Sequence, residues 1–384
     1  MKILLLGKDG QVGFELRRSL ATLGQVHAAG RQACDVSDER ALLALLAEMA
    51  PDVIVNAAAY TAVDKAESER DLAFAINARA PGIMGRYAGD SGALVIHYST
   101  DYVFAGDKPG FYTEQDAPGP QGVYGESKLA GEEALQASGA RYLTFRTSWV
   151  YGAHGGNFAK TMLRLAQERD ALNVVSDQWG APTSAALIAD ITAHMIREAT
   201  GPWRGAFPYG VYHLVAAGET NWHEYACHVI ERARTAGLPI KLPQEAIKPI
   251  GTRDYPTPAR RPANSRMSTL KLRQTFGLTL PDWRDGLDHV LDQILEGVLF
   301  PEMIKLLSAR YLGDFRIALD FSTGALGIFE GKQLLAKEGP LLIPLRDEAF
   351  FQRFFVDAGA LAWPNGLELS PSRLYELSTH QHAA

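Results

Sequence analysis

Only two of the 384 residues are cysteines, Cys34 and Cys227, far apart in the chain and without metal-type neighbours. That scarcity excludes a disulfide-stapled scaffold and matches a reducing compartment holding two ordinary thiols. Long apolar runs are also missing, since none approaches the ~20 residues needed to cross a bilayer. The opening MKILLLGKDG enters a glycine loop too soon to be the apolar core of a secretory leader. It reads as a first strand, and the protein is expected in the cytoplasm. Nor is there an excess of positive charge. The chain carries −6 overall; from Pro301 onward 8 Lys/Arg face 10 Asp/Glu, a charge of −2 that leaves −4 for the first 300 residues. Neither piece is basic, which argues against a nucleic-acid partner. What is there, 47% hydrophobic and 21% charged residues, is ordinary globular composition, in a chain long enough for more than one core.

Lys2 to Leu6 is a short apolar run ending in Gly7-Lys8-Asp9-Gly10-Gln11-Val12-Gly13. Glycines so spaced permit a tight turn and close backbone approach to a pyrophosphate, and a helix from about Gln11 to Leu23 would aim its amides at the phosphates. A strand before it and an amphipathic helix after it (Val12, Leu16, Leu20, Leu23) set this triplet apart from the chain's other glycines. A second strand, Val26 to Ala29, leads to Gly30-Arg31. An acidic residue there suits the ribose of NAD and an arginine the 2′-phosphate of NADP, so Arg31 points to NADPH, with NADH as the alternative. A solvated surface arginine is the competing account. Asp35-Val36 lies where a loop can border an adenine, although Ser37 or Asp38 capping the next helix explains the same segment.

That helix spans Glu39 to Met49, and a third strand, Val53 to Val55, ends in the small residues Asn56-Ala57-Ala58-Ala59-Tyr60-Thr61. Val63 to Glu67 begins a helix and Asn77 to Ala88 forms another. Strands that are continuously apolar, alternating with helices, predict an α/β fold: a Rossmann-like, doubly wound parallel sheet covered on both faces.

A fourth strand runs into Ser99-Thr100-Asp101, and Tyr124 and Lys128 stand one turn apart on a helix, sharing a face. Reduction of a ketone needs a hydride on carbon and a proton on oxygen. A free tyrosine, with a pKa near ~10, is a poor partner at neutral pH. A nearby ammonium favours the phenolate, and Lys128 is expected to bring Tyr124 towards the working range. Thr100 can hydrogen-bond the carbonyl oxygen. Tyrosine four residues before lysine is common by accident; the glycine loop and the strand-end threonine are what give it weight.

These segments name a family. GKDGQVG, NAAAYTAVDKAES, HYSTDYVFAG, YGESKLAGE, FRTSWVYG, NFAKTMLRLA, DQWGAPT and YPTPARRPANSRM occur in this order, and over about Met1 to Leu299 the chain resembles the dTDP-4-dehydrorhamnose reductases, extended short-chain dehydrogenase/reductases. The resemblance implies that Gly10, Gln11, Val12, Asp35, Val36, Ala59, Tyr60 and Thr61 contact the dinucleotide. It makes Thr100 and Asp101 sugar contacts, Tyr124 the proton donor, Lys128 its partner and Trp149 a lid over the sugar. The implied reaction is NADPH-dependent reduction of the 4-keto group of dTDP-4-dehydro-β-L-rhamnose. Some members are similar to a dimer bridged by Mg²⁺ through three glutamates. Here Glu15 is present, but Ala186 and Gln293 occupy the other two positions. Hard cations want oxygen ligands, so no metal site is expected, and a homodimer stays open. A regulatory subunit of another enzyme and a nucleotide-sugar epimerase are the rival functions.

A dinucleotide-binding core of about 1–150 is then followed by substrate-lobe elements of about 151–299. Arg261 is the candidate for a nucleotide diphosphate, since a guanidinium fork matches phosphate oxygens; a surface arginine is the alternative. Trp149, directly after a strand's carboxyl end, suits a sugar wall better than core packing. From about 311 to 378 the texture changes. Phe315, Ile317, Leu319 and Phe321 alternate, Ser322-Thr323-Gly324 turns, and Leu326 to Phe329 returns as a hairpin. Ser370-Pro371 starts a last helix. This small α+β domain resembles a family without assigned activity and is expected to bind an unknown protein partner.

Overall fold

The apolar run after Met1 becomes β1 (Lys2–Leu6), and the glycine loop delivers the chain into α1 (Gln11–Ser19). The computed structural model describes residues 1–201, 206–299, 304–322 and 324–381, divided into two units, Met1–Leu295 and Glu296–Ala384. Two of the loop glycines are required by the protein's own packing. Gly7 has φ +80°, and a Cβ on it would lie 2.5 Å from the Ala58 nitrogen; one on Gly13 would lie 2.0 Å from the Gly7 carbonyl oxygen. Helix α1 stops at Ser19, short of the expected Leu23, with Ala21 and Leu23 closing turns on Arg18 and Leu20.

Strand β2 (Gln25–Ala29) is followed by α2 (Glu39–Met49), whose first amides are capped by Asp38, accepting from Arg40 N at 2.9 Å and Ala41 N at 3.2 Å. After β3 (Val53–Asn56) come α3 (Val63–Ala66) and α4 (Arg70–Phe74), then a π-helical turn (Ala75–Arg79) and α5 (Ala80–Ser91). The helix expected from Asn77 therefore begins at Arg70. Pro81 has no N–H for the Asn77 carbonyl, four residues back, and the widened turn relieves that conflict. The Asn77 carbonyl is then turned out towards Gly131, where a Cβ would lie 2.1 Å from it.

Strand β4 (Leu94–Thr100) leads through a 3₁₀ turn (Asp101–Val103) to α6 (Val123–Ala137) and β5 (Arg141–Thr147). Beyond lie β6 (Val150–Tyr151), α7 (Phe158–Glu168), β7 (Leu172–Val175), β8 (Trp179–Gly180), β9 (Thr183–Ser184) and α8 (Ala185–Thr200). The unit continues through β10 (Gly210–His213), β11 (Thr220–Asn221), α9 (Trp222–Thr235), β12 (Ile247–Ile250), α10 (Leu270–Phe276) and α11 (Trp283–Leu299). Six parallel strands form the main sheet in the order β10-β5-β4-β3-β1-β2. Ile3, Leu5, Val55, Ile96 and Phe145 bury one face against α1 and α8, and Leu4, Leu6, Ile54 and Val95 bury the other against α2 and α5. The strand order reverses beside β1, and in such sheets ligands sit outside the carboxyl ends at that point. Gly7, Ala57 and Thr100 are all at those ends.

The second unit has an antiparallel sheet, β13 (Leu306–Gly313), β14 (Arg316–Phe321), β15 (Leu326–Glu330) and β19 (Ser378–Gln381), in that order. Strand β13 was not expected, because bulges at Leu306/Ser308 and Tyr311/Gly313 break its alternation. Phe315, expected in a strand, instead turns the β13–β14 hairpin with Asp314, at φ 60° and 54°. Of the expected turn at Ser322-Thr323-Gly324, Thr323 lies outside the described residues. Between β15 and β19 are α12 (Gly331–Leu335), α13 (Glu348–Phe351), a small sheet of β16 (Phe355–Asp357), β17 (Ala360–Ala362) and β18 (Glu368–Leu369), and α14 (Pro371–Leu377) with Ser370 as its cap. Ile317, Leu319, Phe321, Phe329, Phe351 and Trp363 form a separate core, and the Trp363 indole N–H donates to the Phe351 carbonyl at 2.8 Å.

Candidate active site

Thr100 ends β4 as a buried residue whose hydroxyl donates to Asp101 Oδ1 at 2.9 Å and accepts from Tyr102 N at 3.2 Å. Asp101 is 3% exposed, and burial pushes its carboxyl up to about 6 against hydrogen bonds from Ser265 and Thr100. Tyr124, in the first turn of α6, meets Tyr102 edge to face at 5.5 Å between ring centres. Thr100 and Asp101 are the side chains that act on its hydroxyl. The strand end and the helix start thus bring Thr100, Asp101 and Tyr124 together.

Lys128 is 2% exposed, and its Nζ donates to the Tyr98 carbonyl at 2.5 Å, with His97 Nε2 at 3.5 Å. Burial lowers the amine to about 8, against the Glu132 charge. The expected depression of Tyr124 by Lys128 is not what this arrangement gives. Burial raises the phenol to about 12, with Thr100 lowering it and Asp101 raising it. The reason is direction: the amine turns into the protein towards Tyr98, while the phenol turns to the strand end.

Three residues that the sequence reasoning missed hold the first turn of α6. Glu67 accepts from Val123 N at 3.0 Å, Arg70 pairs with Glu126 at 2.7 Å, and Asn77 Nδ2 donates to Ser127 Oγ at 3.0 Å. Asn77 also fixes Tyr60, accepting from its N at 2.9 Å and donating to its carbonyl at 3.0 Å. Asn77 and Pro81, four residues apart in a helical stretch, carried the one available signal of a special turn.

A cavity of about 240 Å³ lies at the carboxyl ends beside the glycine loop, lined by Gly7, Gly10, Arg31, Asp35, Val36 and Ala57–Ala59 among others. Gly10 caps α1, and a Cβ there would meet nothing nearer than 3.5 Å, so close approach of a ligand accounts for it where packing does not. Arg31 is exposed and paired with Asp35 at 3.3 Å; hydrogen bonds from Ser37 and the arginine hold that carboxyl below its ordinary range. Gln11 bridges the loop to the next segment, its Nε2 donating to the Val150 carbonyl at 3.4 Å and its Oε1 accepting from Asn157 at 3.0 Å. Val12 packs on the core. Ala59 and Thr61 are exposed, and the Tyr60 hydroxyl donates to Glu69 at 2.7 Å. Open glycine backbone, the α1 amino end and a cation at the β2 end together fit a dinucleotide phosphate chain.

A second cavity, about 450 Å³, is lined by Asp64, Tyr102, Phe158, Gln178, Trp222, Tyr255 and Arg261 among others. Arg261 is not a free surface arginine: one guanidinium nitrogen pairs with Asp64 at 2.7 Å, while Nη1 is buried without a protein partner. Trp149 adopts φ 49° and stacks on Trp222 at 3.8 Å, and a Cβ on Gly180 would lie 2.8 Å from its ring. Trp222 itself, which the sequence reasoning passed over, faces the cavity and donates to Gln178 at 3.1 Å. Glu15 lies 3.6 Å from Arg18. Among the described residues no group of three or more His, Cys, Asp or Glu is placed to hold a metal ion.

A doubly wound parallel sheet, a glycine loop after its first strand, a threonine ending its fourth strand and a tyrosine and lysine one turn apart on the following helix are the features of a Rossmann-type short-chain dehydrogenase/reductase. Residues 1–296 match the RmlD substrate binding domain family, to which the chain belongs; residues 306–380 match a protein family of unknown function, DUF2442. The dTDP-4-dehydrorhamnose reductase of Escherichia coli K12 is 52% identical over 298 residues, 77% of this chain and 98% of that protein. That of Sinorhizobium fredii is 41% identical, covering 74% and 95%. Among solved structures, the Bacillus anthracis dTDP-4-dehydrorhamnose reductase in complex with NADP superposes with a TM-score of 0.69 at 33% identity, covering 76% of this chain and 99% of that one.

Proposed function

We propose that this chain is a dTDP-4-dehydrorhamnose reductase, reducing the 4-keto group of dTDP-4-dehydro-β-L-rhamnose with NADPH to give dTDP-L-rhamnose. The carrying observation is Thr100 and Tyr124 at the carboxyl end of β4, with Lys128 buried one turn further along α6, in a chain 52% identical over 298 residues to a named reductase. NADPH, when bound, supplies the hydride that reaches the keto carbon. Gly7, Gly10, Gln11, Val12 and Gly13 offer the backbone for its phosphates, Arg31 its 2′-phosphate contact, Asp35 and Val36 its adenine border, and Ala59, Tyr60 and Thr61 the far wall. Thr100 and Asp101 orient the sugar, and Thr100 hydrogen-bonds the keto oxygen. Tyr124, kept protonated by its burial at neutral pH, delivers the proton to that oxygen. Lys128, whose amine is lowered to about 8, restores the tyrosine's proton indirectly, since that amine faces the Tyr98 carbonyl and not the phenol. Arg261, held by Asp64 with one nitrogen uncommitted, takes the diphosphate of the nucleotide sugar, and the Trp149–Trp222 stack walls the sugar.

Among the described residues no helix is long and apolar enough to cross a membrane. With two free cysteines, this supports a cytoplasmic place of work. The second unit is assigned the role of binding a protein partner, and a homodimer is assigned to the reductase unit without a bridging metal. The test is NADPH consumption with dTDP-4-dehydrorhamnose, set beside NADH and a UDP-linked sugar. Folded protein that turns over neither cofactor would end the reading. Tightly held NAD after purification, with no need of external reductant, would favour an epimerase.

A further inference from the structure

His97 is a buried histidine that the reaction described above does not use. It lies on β4 three residues before Thr100, 1% exposed, with its ring between Asn56 and Lys128. The Ala58 N–H donates to Asn56 Oδ1 at 3.2 Å, which fixes the direction of the amide and turns Nδ2 towards His97 Nδ1, also at 3.2 Å. An amide nitrogen only donates, so Nδ1 must accept. Burial, reinforced by the Lys128 charge, keeps the ring neutral well below its usual value. Its single proton therefore sits on Nε2, which faces Lys128 Nζ at 3.5 Å.

We infer that His97 is a positioning residue for proton delivery, its Nε2–H directed at the Lys128 nitrogen so that the neutral amine is favoured and the lysine can exchange its proton. Opposite an ammonium this N–H is donor against donor; opposite an amine it meets a lone pair. The Tyr98 carbonyl takes one Nζ hydrogen in either state. The other groups packed around the amine do not replace this effect. Glu132, one turn along α6, favours the ammonium, but its carboxylate is held by Arg146 of β5 at 2.7 to 3.2 Å. The Tyr98 hydroxyl is engaged with Thr192 at 2.8 Å, and Asn77 and Ser127 are uncharged. The backbone of Ala58, beside the dinucleotide cavity, thereby sets the protonation of the lysine through two side chains.

The inference rests on Tyr124 and Lys128 as the proton-delivering pair, and the experiment separates the two claims. In protein labelled with ¹⁵N-histidine, the His97 signals, assigned by their loss in His97→Leu, should show the neutral Nε2–H tautomer at pH 7. The Nδ1–H tautomer or an imidazolium would overturn the inference without touching the reductase reading. The basic limb of the pH profile of NADPH-dependent turnover should move up by about one pH unit in His97→Leu. Asn56→Asp, whose carboxylate accepts from Nδ1–H and makes Nε2 an acceptor, should move it the same way. A uniform loss of turnover with the limb in place is the signature of a merely structural role and would also overturn it. Wild-type protein without turnover would end the reductase reading, leaving the tautomer to decide for or against the His97 contact.

Discussion

Tyr124 has the most direct consequence at the scale of single residues. Tyr124→Phe keeps the ring against Tyr102 and removes only the hydroxyl that carries the proton, so turnover should fall by about 10²–10⁴-fold. NADPH affinity, read by fluorescence titration, should stay close to wild type; retained turnover would take Tyr124 out of its role. Asp101 ties pH to stability. Its folded pKa, about 6, is raised from the ordinary 3.8, so the fold binds this proton more tightly than the unfolded chain. The stabilisation is full below the unfolded value and is lost as pH rises through about 6, a difference on the order of 3 kcal/mol. Asp101→Asn should therefore raise the melting temperature at pH 8 and much less at pH 4, and an equal change at both would contradict the burial argument. Arg261→Lys loses the planar fork beside Asp64, and KM for the dTDP-sugar should rise roughly tenfold or more with kcat little changed. An unchanged KM would return Arg261 to a structural role.

Among the elements, α6 depends on a segment far upstream. Its first turn is capped by Glu67, 56 residues away, and clamped by Arg70 and Asn77. Replacing Glu67 by Ala should cost about 1 kcal/mol of stability and lower kcat more than it changes cofactor affinity, because the cap holds the backbone that carries Tyr124. Steady-state kinetics and urea denaturation read the two effects separately. The helices and strands were largely legible because their signals are local. Asp38 caps α2, and the apolar runs read as β1 and β3 end within a residue of those strands. The π turn at Asn77 was less so, since Pro81 marks a break without saying that the freed carbonyl will meet Gly131. Strand β13 was missed because its bulges erase the period of two on which strand reading relies.

At the scale of the whole molecule, two cores are joined in one chain. The Escherichia coli relative is covered over 98% of its length by the first 298-residue match, and the second unit has its own buried aromatic cluster. A chain ending at Leu299 should retain NADPH-dependent turnover, and the full-length protein should melt in two transitions by calorimetry. Loss of turnover on truncation would show that the second unit contributes to the site.

The sequence alone determined the dinucleotide loop, the parallel α/β alternation, the Tyr-Lys pair on one helix face and the separate tail. Each is written in spacing along a few residues, where steric and periodic rules act directly on the chain. Only the tertiary structure decided the state of that chemistry. Arg261 is matched with Asp64 across 197 residues and Lys128 with His97 across 31, while Trp149 is folded against Trp222. The sequence expectation placed Lys128 beside the phenol; the fold turned its amine to a backbone carbonyl and a histidine. Charge and proton positions depend on burial and on the direction of single donors, and those exist only once distant segments share one interior.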